Sequence, residues 1–131
     1  MTDRKLLDMA RNVMANAYTP YSEFNVGAAI ECEDGTVFTG CNVENAAYGV
    51  TICAEASAIA AAVSSGYREF NRIAITSEGT AYCFPCGKCR QMLNEFAPTI
   101  EVLCARADGR YVSYPLTALL PMAFGKEHVE R

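Results

Sequence analysis

A chain of 131 residues and 14.2 kDa, 51% hydrophobic and 20% charged, has the length and composition of one globular domain with a single core. Its net charge of −4 excludes binding to nucleic acid through a basic surface, and no apolar run approaches membrane-spanning length. Seven cysteines, an odd number, behind the polar start Met1-Thr2-Asp3-Arg4-Lys5 with no secretory leader, fit a reduced cytoplasmic protein better than a disulfide framework.

Leu6, Leu7, Met9, Ala10, Val13, Met14 and Ala17 recur at the i, i+3, i+4 spacing of an amphipathic helix over residues 2–17. Tyr18-Thr19-Pro20-Tyr21-Ser22 reads as a turn. Residues 26–33 and 36–42 read as strands joined at Asp34-Gly35, a hairpin signal, with Cys32 and Cys41 as packing residues. The stretch from Asn42 to Gly49 has many hydrogen-bonding groups and no hydrophobic periodicity. Composition makes it a solvated loop, yet binding residues gather on such loops when a rigid scaffold holds them. A helix then opens with Thr51 as candidate N-cap, continues through the alanine-rich residues 54–62 and stops at Ser64-Ser65-Gly66. Residues 72–76 form a short apolar strand, and Pro85-Cys86-Gly87-Lys88-Cys89 opens another helix that continues through residues 92–96. Residues 100–105 are a strand, Asp108-Gly109 a turn, 111–114 an edge strand and 116–120 a short helix. The order α-β-β-α-β-α-β-β over residues 1–131, without linker or repeat, implies a single α/β domain built on a five-stranded mixed sheet with helices on its faces.

Two of these helix openings carry chemistry. Cys53 and Glu55 sit on the first turn of one, beside free backbone N–H groups and the positive end of the dipole, which favour a thiolate. Cys86 and Cys89 stand at the mouth of the other with metal-ligand spacing. Three thiolates fill three corners of a tetrahedral zinc site and leave the fourth for water, which is the catalytic arrangement. A Cys-x-Glu followed by Pro-Cys-x-x-Cys is the known signature of the zinc deaminases, in which the glutamate moves protons without ligating the metal. Cys83 also extends the pair to Cys83-x-x-Cys86-x-x-Cys89, part of an iron–sulfur run, but no fourth cysteine follows before Cys104. The single histidine, His128, lies in a polar tail and reads as solvated. The helix after Glu55 is small-residued nearly all round, with no charge before Arg68. It is therefore either buried within the chain or packed against another copy.

Five stretches carry a likeness to a known family: Pro20-Tyr21-Ser22-x-Phe24-x-Val26-Gly27-Ala28, Asn42-Val43-Glu44-Asn45, Cys53-Ala54-Glu55, Pro85-Cys86-Gly87-x-Cys89-Arg90-Gln91 and Leu119-Leu120-Pro121-x-x-Phe124-Gly125. Through them the chain resembles the cytidine deaminases in their small, homotetrameric, three-cysteine form. The zinc motif alone admits guanine, tRNA-adenosine, deoxycytidylate and blasticidin deaminases; the Asn-Val-Glu-Asn loop with Phe24 looks like the free-nucleoside branch. The resemblance implies a three-layer fold, one zinc ion per subunit on Cys53, Cys86 and Cys89, and hydrolytic deamination of cytidine and 2′-deoxycytidine in pyrimidine salvage. It implies that Glu55 carries the protons, Phe24 packs on the pyrimidine, Asn42 and Glu44 hold the ribose 3′-hydroxyl, and Ala54 offers backbone contacts to the base. It further implies sites shared between subunits, with Phe124 and Tyr48 reaching a neighbour's site.

One position departs from the pattern. The family's commonest motif continues Cys-Ala-Glu-Arg, and that arginine hydrogen-bonds the zinc thiolates. Here Ala56 stands in its place and Arg90 is the remaining candidate to offset their charge. Within the enzyme class the alternative is a deaminase of a nucleoside analogue such as blasticidin S. Outside it stands a small zinc or redox module without catalysis, which would need a closed four-ligand site.

Overall fold

The computed structural model describes residues 1–129. Helix α1 (Asp3–Met14) is capped by Thr2, whose hydroxyl accepts from the Lys5 N–H at 3.1 Å. It stops at Met14, short of the expected residue 17. There the chain tightens into i→i−3 bonds, from the Asn16 N–H to the Val13 carbonyl and from the Ala17 N–H to that of Met14. Strands β1 (Val26–Cys32) and β2 (Val37–Cys41) form the expected antiparallel hairpin. There follow α2 (Ala54–Ser64), β3 (Phe70–Ser77), α3 (Gly87–Phe96), β4 (Glu101–Ala105), β5 (Tyr111–Pro115) and the short α4 (Leu116–Leu119).

The five strands lie in the order β2-β1-β3-β4-β5, antiparallel throughout except for the β3–β4 pair, which α3 bridges. Successive residues of a strand point to opposite faces, and both faces are covered. Leu6, Leu7 and Ala10 of α1 pack on Ala29, Ala74 and Leu103. On the other face Ala58, Ile59 and Ala62 of α2 and Leu93 of α3 meet Ala28, Ile30, Ile73, Ile75 and Val102. Burying Ile59 contributes about 1.5–3 kcal/mol and each small methyl of Ala58 and Ala62 about 0.8 kcal/mol, so packing on the sheet adds to alanine's helix propensity in holding α2 in place. This is the mixed, three-layer α/β sheet that the order of elements implies.

Two features of the sheet fix where a site can form. Gly40 on β2 lies directly under α2: a Cβ there would stand 2.5 Å from the Ala58 nitrogen and 2.7 Å from the Ala54 carbonyl oxygen, so only glycine lets the helix start rest on the strand. The start of β1 pairs with the end of β3 (Val26 opposite Ser77), and β4 runs parallel to β3. The carboxyl ends of the parallel pair and the openings of α2 and α3 therefore share one end of the sheet, where open α/β sheets hold their ligands. Among the described residues no helix is long and apolar enough to cross a membrane.

Candidate active site

Both helix openings are built on cysteine. Cys53 is itself the N-cap of α2, where Thr51 is the sequence expectation; Thr51 instead closes a 3-10 turn (Tyr48–Val50) and its hydroxyl accepts from the Asn45 N–H. Cys86 is the N-cap of α3, and Cys89 lies on its first turn, fully buried. The Cys53 side chain takes no hydrogen bond from its own helix, so its sulfur is left for another partner.

The sulfurs of Cys53 and Cys86 stand 3.9 Å apart, and those of Cys53, Cys86 and Cys89 all lie within 4.8 Å of one another. A tetrahedron of zinc–sulfur bonds of about 2.3 Å has sulfur–sulfur edges of about 3.8 Å, so Cys53, Cys86 and Cys89 are spaced as residues that would hold a zinc ion. No fourth ligand joins this group among the described residues, which leaves the open position of a catalytic centre. The donor set thus fits zinc. Cys83 stands outside the group, and the iron–sulfur reading fails with it.

The electrostatics of the sulfurs without a metal are unfavourable. Burial pushes the Cys53 and Cys89 thiols up, and Cys86 and Glu55 push both further, while a hydrogen bond with Cys89 partly offsets the rise at Cys53. Cys86 ends below its ordinary value: burial raises it, but the Cys89 backbone N–H and the thiols of Cys89 and Cys53 outweigh that by hydrogen bonding. Binding a divalent cation here releases thiol protons and relieves the crowding of like charges.

Glu55, on the same turn as Cys53, is only 5% exposed. Burial raises its carboxyl pKa, against hydrogen bonds from its own backbone N–H and the Cys89 thiol. A carboxyl so placed holds or gives up a proton nearer neutrality than a solvated one. It borders a cavity of about 240 Å³ whose walls are Phe24, Val26, Asn42, Thr51, Cys53 and Cys86, with Ala54, Cys83 and Phe84 completing them.

The loop residues are more constrained than solvated-loop composition suggests. The Asn42 amide clamps the segment before β1: its oxygen accepts from the Val26 N–H and its nitrogen donates to the Phe24 carbonyl, both at 2.9 Å. Glu44 folds the turn at residues 21 and 22, one oxygen accepting from both backbone N–H groups at 3.1 Å and the other from the Ser22 hydroxyl. These bonds, the Ser22 hydroxyl first, hold its carboxyl below the usual range. Glu44 and Tyr48 line a second cavity, of about 330 Å³, with Tyr21, Ser22, Asn45 and Thr51. Thr51 belongs to both cavities, so the two adjoin.

One expectation meets a different arrangement. Arg90 does not reach a thiolate: it donates at 2.7 Å to the carbonyls of both Pro85 and Leu119, bracing the turn before Cys86 against the end of α4. A backbone donor, the Cys89 N–H, faces the Cys86 sulfur instead. Phe124, expected in a neighbour's site, lines no part of its own chain's cavity; the residue is 62% exposed, its ring stacked on His128 at 5.6 Å, while its carbonyl accepts from Gln91 and Asn94. His128 is exposed, as expected of a solvated tail residue, and its Nδ1 accepts from the Gly125 N–H at 3.0 Å. Val26, Thr51, Cys83 and Phe84 join the cavity without being singled out by sequence as part of it. For the last two the signal was adjacency to Pro85-Cys86; for the others there was none.

A family model described as the cytidine and deoxycytidylate deaminase zinc-binding region matches residues 1–105, which include all three clustered cysteines. A cytidine deaminase of Sporosarcina psychrophila is 41% identical over 128 residues, 97% of this chain and 94% of that one. Among solved structures, the cytidine deaminase from Burkholderia pseudomallei superposes with a TM-score of 0.92 at 45% identity, covering 95% of this chain and all of that one. The cytidine deaminase from Mycobacterium tuberculosis superposes with a TM-score of 0.82 at 40% identity, covering 95% and 99%.

Proposed function

The chain belongs to the cytidine deaminase family, and from that premise we propose that Glu55 moves the protons in a cavity that takes the cytosine ring over Cys53, Cys86 and Cys89. The activity is hydrolytic, zinc-dependent deamination of cytidine: water is consumed and uridine and ammonia are released. Zinc held by the three sulfurs supplies a water of lowered pKa, so that hydroxide is available near neutrality. The single observation that carries the assignment of roles is a buried carboxyl bordering the same cavity as the sulfurs. Glu55 takes one proton of the attacking water and delivers it to ring N3, then carries the remaining proton of the hydroxyl added at C4 to the amino nitrogen, which departs as ammonia. Its raised proton affinity supports that double duty.

The other walls hold the substrate. Phe24 packs on the pyrimidine and the Ala54 backbone meets the edge of the base. Asn42 and Glu44 take the ribose 3′-hydroxyl, an assignment supported by the adjoining cavities that meet at Thr51. Because that hydroxyl is common to both sugars, 2′-deoxycytidine is a substrate too, and the enzyme works in pyrimidine salvage. Nucleic acid is not a partner, in keeping with a net charge of −4. Seven unpaired cysteines support a cytoplasmic setting.

Residues 1–131 act as one domain, in a homotetramer with one zinc ion per subunit. Helix α2 buries one side on the sheet and leaves Ala60 exposed, an uncharged surface suited to a second copy. Phe124, exposed on a clamped backbone, and Tyr48, 75% exposed, are the side chains lent to neighbouring sites. The test follows the ultraviolet absorbance of cytidine mixed with zinc-loaded protein. Uridine is expected, and its absence would refute the substrate. A mixture of Glu55→Gln and Phe124→Ala chains should regain activity through hybrids in which an intact Glu55 meets an intact Phe124. No recovery despite proven subunit exchange would refute the shared site.

A further inference from the structure

Phe24 is presented to the cavity by a segment held on every side. Glu23, just before it, adopts φ 56°, the left-handed region that an L residue enters at a cost. The Phe24 N–H donates to the Ser22 hydroxyl at 3.1 Å and the Phe24 carbonyl accepts from Asn42. The next carbonyl, that of Asn25, accepts from the Glu78 N–H at 3.3 Å, which ties the segment to the loop after β3.

Behind the ring itself stands Gly79. A Cβ at that position would lie 3.1 Å and 3.3 Å from two carbons of the Phe24 ring edge and 3.3 Å from the Ser77 hydroxyl oxygen. All three are tighter than an ordinary van der Waals contact. Gly79 cannot retreat from them, because its N–H donates to the Ser77 hydroxyl at 3.1 Å and its carbonyl accepts from the Ala107 N–H at 3.0 Å. Phe24 is 42% exposed whereas Ser77 is buried, so the Phe24 ring is the neighbour free to yield.

We infer that Gly79 is a positioning residue: by having no side chain it seats the Phe24 ring, and so sets where the pyrimidine lies relative to Glu55. The inference rests on the reading of Phe24 as the ring that packs on the base. A larger residue at 79 drives the ring off its seat, and small misplacements of a bound substrate are costly in rate and binding.

The experiment is a double-mutant cycle on the zinc-loaded enzyme with Gly79→Ala, Gly79→Val and Phe24→Ala, measuring kcat, KM for cytidine and zinc content. Gly79→Val should raise KM on the order of tenfold, move kcat less and leave the zinc content unchanged. In the Phe24→Ala background it should add no further change. Gly79→Ala gives the smaller shift in the same direction and carries the test if the valine variant does not fold. A crystal structure of Gly79→Ala should show the ring edge displaced. An unchanged KM, an effect that persists without the Phe24 ring, or an unmoved ring would each overturn the assignment. Wild-type protein that leaves cytidine untouched would instead overturn the substrate reading beneath it.

Discussion

Two clusters of ionisable groups sit on opposite faces of the same sheet, and they are completed in opposite ways. Under α1, Arg72 on β3 donates to both oxygens of Glu31 at 2.9 Å, to Asp3 at 2.7 Å and to the Met1 carbonyl at 2.7 Å, while the Tyr111 hydroxyl donates to Asp3 at 3.1 Å. The chain satisfies itself there. The hydrogen bond from Arg72 holds the Glu31 carboxyl below its ordinary value despite burial, and the carboxylates raise Arg72 in return. Under α2 and α3, three cysteines and Glu55 crowd together with no ion pair among the described residues, and three of these four groups resist ionisation. A structural cluster supplies its own cation; this functional one is made for a cation the chain does not encode.

The contrast breaks most readily by removing the metal. Chelation of zinc should abolish turnover and zinc alone should restore it, whereas the Arg72 cluster needs no metal; activity in metal-free protein would end the comparison. Next in size is Glu55→Gln, which should keep one zinc per chain and lose about 10²–10⁴-fold or more in kcat. Near-normal turnover with full metal content would remove Glu55 from the mechanism.

On the opposite face the largest effect is on stability. Arg72→Met leaves Glu31 buried without its partner and should cost about 3–5 kcal/mol in denaturant unfolding, with kcat and KM of the folded enzyme unchanged. Arg90→Ala should behave as the loss of a brace, costing about 1.5–3 kcal/mol for each charge-assisted hydrogen bond to a carbonyl, with zinc stoichiometry intact. Loss of zinc in that variant would return Arg90 to the role of thiolate neutraliser.

The smallest effect is a pH dependence. Because the Glu31 pKa is lowered in the folded state, its stabilisation is present above the ordinary value of 4.5 and fades as the pH falls below it, toward the depressed one. Unfolding midpoints of Glu31→Gln should therefore lie below those of wild type near neutrality and converge on them in acid. A constant gap across the range would mean that Glu31 does not titrate with folding.

Of the two clusters only one was legible in the chain. Cys53, Glu55, Cys86 and Cys89 occur as two short motifs at helix openings, and metal chemistry restricts residue type and spacing tightly enough to be read locally. The loop with Asn42 and Glu44 was legible through family likeness, but not the hydrogen bonds by which those two residues shape the turn at 21–22 and the start of β1. Arg72, Glu31 and Asp3 carry no local signal, for they lie on three elements that only the sheet order and α1 bring together.

Periodicity and turn residues by themselves determined the elements, their order and the α/β class, because side-chain burial repeats at about 3.6 residues in a helix and 2 in a strand. Motif spacing set Cys53, Cys86 and Cys89 apart as candidate metal ligands, and likeness to the zinc deaminases pointed to Glu55 as the proposed proton carrier. Only the tertiary structure decided that Cys53, not Thr51, caps α2, that Arg90 serves carbonyls rather than sulfurs, and that Gly40 and Gly79 are where backbone must pass close to a neighbour. A cap, a guanidinium and a missing side chain each have several local uses, and the partner that selects among them stands far off in sequence but near in space.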